Sequence, residues 1–266
     1  MKVAVDAMGG DFAPEEIVRG AAEAAREYGC RIVLVGDEAR IAPLLDKVGD
    51  WRGLGISVQH ASQLIEMTEH PGAAVRKKKD ASVVVATRLV KQGDCDVVVS
   101  AGSTGAAVAA ALLGLGRIKG IERPAIATPL PTLAGTTVLL DSGANTDSKP
   151  KHLLQNAVMG SIYAECIFGI DRPRVGLLNI GEEETKGNEQ ALATYPLLQQ
   201  AKTINFIGNV EGRDIPRGNV DVVVCDGFVG NVVLKFGEGL ATAILELVRA
   251  AIKNAGFFAK AASFMV

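Results

Sequence analysis

Five short runs rich in Val, Ile and Leu each end in a small polar residue that opens directly into a glycine-rich loop. The loops are DAMGGD at 6–11, SAGSTGA at 100–106, DSGANTD at 141–147, NIGEEETKGN at 179–188 and CDGFVGN at 225–231. Near-continuous apolar runs separated by longer segments of helical period are the pattern of strands buried on both faces of a parallel sheet. The chain therefore reads as α/β, three-layered around a mainly parallel sheet. Candidate strands cover 2–6, 31–35, 56–61, 96–100, 136–141, 174–179, 204–207 and 220–225. Loops leaving the carboxyl ends of parallel strands are where ligands of such folds bind, so the five are expected to line one shared cleft.

Two helices stand out between the strands. Over 15–28, behind Pro14, the residues Ile17, Ala21, Ala24, Ala25 and Tyr28 fall on one face. Over 232–255, Val233, Phe236, Leu240, Ile244, Leu247, Val248, Ala251 and Ala255 form the stripe of a long amphipathic helix, which must pack against something. No repeat, low-complexity tract or linker interrupts the 266 residues, so the expectation is a single α/β catalytic domain over 1–266 with a protruding carboxyl-terminal helix.

A net charge of −2 and a pI near 6.0 lack the basic footprint of a nucleic-acid binder, so DNA and RNA are not expected partners. Cys30, Cys95, Cys166 and Cys225 are widely spaced beside apolar runs, as reduced thiols of a cytoplasmic protein would be. The amino terminus reads as a strand, not a signal peptide. The longest apolar segments are broken by Gly, Lys or Glu short of the roughly 20 residues of a spanning helix. The expected location is the cytoplasm, with at most peripheral contact at the inner face of its membrane.

Glycine admits backbone N–H groups close to a ligand, and a following helix presents its positive end, so these loops suit phosphate and other oxyanions. Neither G-x-x-x-x-G-K-[ST] nor G-x-G-x-x-G is present, so no nucleotide cofactor is expected. Ala101 stands two before Ser103, which breaks the G-x-S-x-G nucleophile pattern. His60, His70 and His152 do not cluster with cysteines, and the Glu182 to Glu184 run reads as a solvated helix start more readily than a magnesium site, so no metal is expected. Lys186 is the only lysine within the five loops. It is the first candidate for contacting an anion, while Cys225 reads as a buried structural thiol before a thioester nucleophile.

Together with GRIKGIERPA at 116–125, VGLLNIGEEETKGN at 175–188, NFIGNVEGRD at 205–214 and VVVCDGFVGNVVLK at 222–235, the loops resemble the PlsX-type phosphate acyltransferases from Met1 to about Ala255. That resemblance implies an isocitrate-dehydrogenase-like fold shared with phosphotransacetylases, and a homodimer. It also implies transfer of a long-chain acyl group from acyl carrier protein to inorganic phosphate, giving acyl phosphate for phospholipid synthesis. A membrane glycerol-3-phosphate acyltransferase would consume that product. Family members carry Asn where this chain has Ser103, and continue several dozen residues further in a segment containing His-Gly-Ser. A short-chain phosphotransacetylase acting on acyl-CoA and a non-catalytic membrane-associated scaffold are the competing readings.

For this chemistry Lys186 and Asn231 are the expected catalytic pair, the lysine neutralising anionic charge and the amide donating a hydrogen bond. Gly102, Ser103, Thr104, Gly105 and Asn145 are expected to bind phosphate, and Asp6, Asp141 and Asp226 to orient loops or the lysine. Arg76, Lys77, Lys78 and Lys79 form a basic patch for the acidic carrier protein. Phe257 and Phe258, with nearby lysines, suit a membrane tip.

Overall fold

A computed structural model describes residues 1–254. The chain has no linker, yet it divides into two compact units, Met1–Gly120 and Ile121–Val266, each with its own sheet and core. The boundary falls within GRIKGIERPA, where Gly116 and Gly120 take positive φ angles of 88° and 93° that a side chain would disfavour.

The first unit alternates strands and helices. Strands β1 (Lys2–Asp6), β2 (Arg31–Gly36), β3 (Ile56–His60) and β4 (Val97–Ser100) are joined by α1 (Glu15–Tyr28), α2 (Glu38–Val48), α3 (Pro71–Lys77) and α4 (Ser82–Gln92), and α5 (Thr104–Gly114) follows. All pairings are parallel, in the order β3-β2-β1-β4. Helix α1 spans the expected residues, but its buried face is Val18, Ala21, Ala22 and Ala25, and Tyr28 is 72% exposed. Positions 18, 21, 22 and 25 keep the i, i+3, i+4, i+7 spacing one step round from the expected stripe. Ile17 and Ala24 pack only at its margin.

The second unit contains β5 (Ala127–Thr132), β6 (Gly135–Leu140), α6 (Pro150–Phe168), β7 (Arg174–Asn179), α7 (Glu189–Gln200), β8 (Asn205–Glu211), β9 (Val222–Val224) and α8 (Gly227–Asn254). Its order is β5-β6-β9-β7-β8, and only the β5–β6 hairpin is antiparallel. The sequence reading missed β5 because Pro129 and Pro131 remove two ladder donors. At a sheet edge those donors have no partner to lose. Central β9 consists of three valines with no exposed surface: Val222 and Val224 pack with Val175, Leu177 and Leu153, and Val223 packs with Leu139 and Val210.

Helix α8 begins before the expected 232 because Asp226 caps it: Oδ1 accepts the N–H groups of Phe228 and Val229 at 2.9 and 3.0 Å. Val233 packs on the core, but Phe236, Leu240, Ile244, Leu247 and Val248 remain 47–70% exposed. By length and composition alone, Gly227–Lys253 is long and apolar enough to cross a membrane, with a mean hydropathy of 1.4. This differs from the sequence pattern, in which Gly, Lys and Glu break the apolar runs, because the helix carries those residues within one continuous span. Ala255, Phe257 and Phe258 lie outside the described residues.

At the opposite end of the second sheet, Arg174 at the start of β7 grips Asp221 just before β9. The guanidinium donates to both carboxylate oxygens at 2.9 Å, and the Arg174 N–H adds a bond of 2.7 Å. Burial alone would raise the Asp221 carboxyl, but the Arg174 hydrogen bonds outweigh it and hold the group below its ordinary range. A depressed carboxylate stabilises the fold above its unfolded value near about 4, and that contribution is lost as pH falls through the folded value. Asp221→Asn is therefore expected to cost about 1–2 kcal/mol at pH 7 in urea denaturation, with the gap to the parent closing below about pH 4.

Candidate active site

In the first unit, Asp6 ends β1 and is 3% exposed. Its carboxylate accepts the Ser100 hydroxyl at 2.7 Å and the Met8 N–H at 3.3 Å, and Ser100 Oγ in turn accepts the Gly102 N–H at 3.2 Å. A Cβ on Gly9 would stand 2.5 Å from Asp6 Oδ2 and 3.0 Å from the Gly102 backbone, so DAMGGD and SAGSTGA pack with no room for side chains. Asp6 is thus a loop organiser. Ser103 caps α5 by accepting the Ala106 N–H at 3.4 Å. Thr104 and Gly105, exposed in the first helical turn, have amides of the kind that receive an oxyanion.

The basic residues of this unit divide. Arg76, Lys77 and Lys79 are exposed, but Lys78 is only half-exposed and turns inward. Its ammonium donates to Leu64 O at 2.7 Å and to Glu69 Oε1 at 2.5 Å, and this bond holds the Glu69 carboxyl below its usual range. Lys78 therefore braces the segment before α3 and does not belong to a docking patch.

In the second unit, Asp141 follows β6 with no exposed surface. Oδ1 accepts the N–H groups of Ile126, Gly143 and Ala144 at 2.9–3.1 Å, and Oδ2 accepts Asn145 N and Nδ2 at 2.8 and 2.9 Å. Asn145 Nδ2 also donates to Pro124 O at 2.7 Å. Both of its amide hydrogens are thereby committed, so Asn145 holds the loop and does not present the phosphate donor expected of it. Helix α8 then docks by backbone contact. A Cβ on Gly227 would lie 2.7 Å from Asn145 O, and one on Gly230 would lie 1.9 Å from Asp141 O.

One turn into α8, Asn231 lies against this loop: a Cβ on Gly143, whose φ is 144°, would meet its Nδ2 at 2.8 Å. Lys186 sits in the loop after β7, which Asn179 pins by accepting the Ile180 N–H at 2.8 Å and donating to Lys186 O at 3.0 Å. Its side chain is exposed and makes no ion pair among the described residues. Two of its three acidic neighbours are occupied elsewhere: Glu182 faces Arg213 at 3.9 Å, and Glu184 accepts the Tyr195 hydroxyl at 3.0 Å. Cys225 is 4% exposed, and burial pushes its thiol far above its ordinary range, which leaves it without nucleophilic thiolate.

Two cavities open beside these loops. One, of about 430 Å³, is lined mainly by apolar side chains of α6, β7, α7 and α8, with Asn179, Asn188, Gln190 and Asp226 at its polar edge. The other, of about 610 Å³, is bounded by Thr146 to Lys149, Asn188, Gln190 and the start of α8. They share Asn188, Gln190, Asp226 and Val229. Lys186 and Asn231 line neither, but each stands within two residues of a residue that does. Asn188 and Gln190 escaped the sequence reading. The available signal was the cap pattern of Asn188, whose Oδ1 accepts the Ala191 N–H at 2.9 Å.

A family model described as fatty acid synthesis protein matches residues 1–266. The chain belongs to this family of PlsX-type phosphate acyltransferases. Among its relatives, a protein named phosphate acyltransferase from Pelotomaculum thermopropionicum is 61% identical over 96% of this chain and 73% of its own length. That from Heliobacterium modesticaldum is 60% identical over 96% and 76%. Among solved structures, EutD phosphotransacetylase from Staphylococcus aureus superposes with a TM-score of 0.64 at 18% identity, over 91% of this chain and 82% of that one. A phosphotransacetylase from Streptococcus pyogenes does so with the same score at 21%. The family's α/β fold is thus phosphotransacetylase-like.

The family loops DSGANTD and CDGFVGN meet at Gly230, where the obstruction to a side chain is a carbonyl oxygen. Gly230→Ala is expected to push α8 off the loop and to lower stability by about 1–3 kcal/mol, read as a lower urea midpoint with an unchanged slope.

Proposed function

We propose that this acyltransferase moves a long-chain fatty acyl group from the thioester of acyl carrier protein to inorganic phosphate, releasing acyl phosphate for phospholipid synthesis. The observation that carries the reading is the Lys186 ammonium, without an ion pair among the described residues, on a loop pinned at the end of β7, in a chain of the phosphate acyltransferase family. A phosphate oxygen attacks the thioester carbonyl carbon and forms the new C–O bond. Negative charge builds on the carbonyl oxygen, and collapse of the tetrahedral species breaks the C–S bond and expels the carrier thiolate with its electron pair. A thiolate leaves readily, so fixed charge and position suffice without a covalent enzyme intermediate.

Lys186 supplies the fixed positive charge toward the anionic nucleophile and the developing oxyanion. Asn231, held against Gly143, donates a neutral hydrogen bond. Asp226 caps the helix that bears Asn231, Asp141 fixes the loop on which that helix seats, and Asn179 pins the loop that bears Lys186. Arg76, Lys77 and Lys79 serve as the exposed docking surface for the acidic carrier protein. The exposed α8 stripe is covered by a second copy of the chain, and the dimer works in the cytoplasm. A phosphotransacetylase specificity is supported by fold likeness alone.

Lys186→Ala is expected to lower kcat/KM for acyl phosphate formation at least about tenfold, and about a hundredfold if the lysine acts mainly on the transition state. An unchanged melting temperature would show that the loss is chemical. Near-parental turnover would remove Lys186 from the reaction. For docking, Arg76→Glu with Lys79→Glu should raise KM for the carrier-protein thioester several-fold more than KM for the matching acyl-CoA, and the difference should shrink as salt increases. Equal effects on both donors would place the partner elsewhere.

A further inference from the structure

We propose that the cavity of about 430 Å³ in the second unit is the acyl-chain subsite, with the adjoining 610 Å³ cavity as the polar mouth through which the thioester end reaches solvent. This rests on the acyltransferase reading above and extends it by locating where the chain goes. The inner cavity is walled by Leu153, Leu177, Leu178, Ala191 and Val229, of which Leu153 and Leu177 are each 1% exposed. These side chains come from four different elements, so an empty space among them gains nothing from polar ligands and favours methylene groups at roughly 0.8 kcal/mol each.

Charge narrows the occupant further. The one acidic or basic side chain on this lining is Asp226, whose carboxylate already accepts two N–H groups of α8. A phosphate or nucleotide would face that carboxylate without a countercharge, whereas an uncharged aliphatic chain would not. The polar lining is Asn179, Asn188 and Gln190, and the last two are shared with the second cavity, where Asp147, Lys149 and the first turns of α7 and α8 are found. An amphiphile with an apolar tail and a polar reacting end matches that arrangement. The loop carrying Lys186 runs into Gly187 and Asn188 on the same rim, which brings the proposed charge close to where the tail ends.

Shape can be changed without touching Lys186 or Asn231. Ala191, in the first turn of α7, uses its N–H to meet the Asn188 cap, and a larger side chain there keeps that bond while filling the inner cavity. The experiment titrates decanoate and butyrate calorimetrically into the parent and into Ala191→Leu, and assays decanoyl and butyryl carrier-protein thioesters with phosphate. Ala191→Leu should weaken decanoate binding and lower the decanoyl-to-butyryl turnover ratio by at least about tenfold each. Val229→Phe, at a position 38% exposed on α8, should do the same if the first variant melts early. Failure of the parent to bind decanoate, unchanged decanoate binding in both variants, or equal losses for both chain lengths would overturn the subsite. A parent that binds decanoate in this way yet forms no acyl phosphate would overturn the reaction and leave the subsite standing.

Discussion

The carboxylate of Asp141, shut off from solvent and surrounded by five N–H donors, is the interaction on which the second unit's loops depend. A buried charge is tolerated when hydrogen bonds replace its hydration, and each donor here is a loop group that would otherwise need water. The donors come from the segment before β5 and from the loop after β6, so one side chain gathers both. Asn145 then ties Pro124 to the same centre, and its carbonyl accepts the Gly227 N–H at 2.8 Å to seat the start of α8. The position of Asn231 follows from this chain of bonds, because α8 can approach only where glycine stands at 227 and 230.

The division of labour among polar residues follows from their environment. Aspartates at the strand ends are buried or capping, and they accept backbone hydrogens. Lys186 is exposed on a loop whose backbone is pinned while its side chain is not. In the proposed reaction, rigid support beneath an exposed cation would let the charge meet a phosphate without first breaking an ion pair. The thiol of Cys225 is sequestered where burial pushes it far above its ordinary range, so the proposed displacement by phosphate does not draw on it.

Much of the fold was legible because buried parallel strands have a distinct signature. The runs of β1, β2 and β7 could be read to within a residue, and Asp6 and Asn179 at the ends of β1 and β7 marked where their loops begin. Strand β5 was hidden because prolines 129 and 131 argue against a ladder unless the strand is known to lie at an edge. The division at Gly120 was equally hidden, since it depends on which strands pair and not on local composition. Within the site, residue types were read correctly but their commitments were not. Asn145 spends its hydrogens on Asp141 and Pro124, and Lys78 spends its charge on Glu69 and Leu64. Such engagements join residues distant in sequence, and no spacing rule announces them.

Direct displacement is the central chemical claim, and it differs from an acyl-enzyme route in when the carrier thiol is released. Rapid mixing of excess protein with radiolabelled decanoyl carrier protein, with and without phosphate, followed by quenching and thiol quantitation, separates the two. Direct displacement predicts no thiol release and no label on the protein until phosphate is present, then equal amounts of thiol and acyl phosphate. A burst of thiol without phosphate, with label retained on the denatured chain, would contradict it.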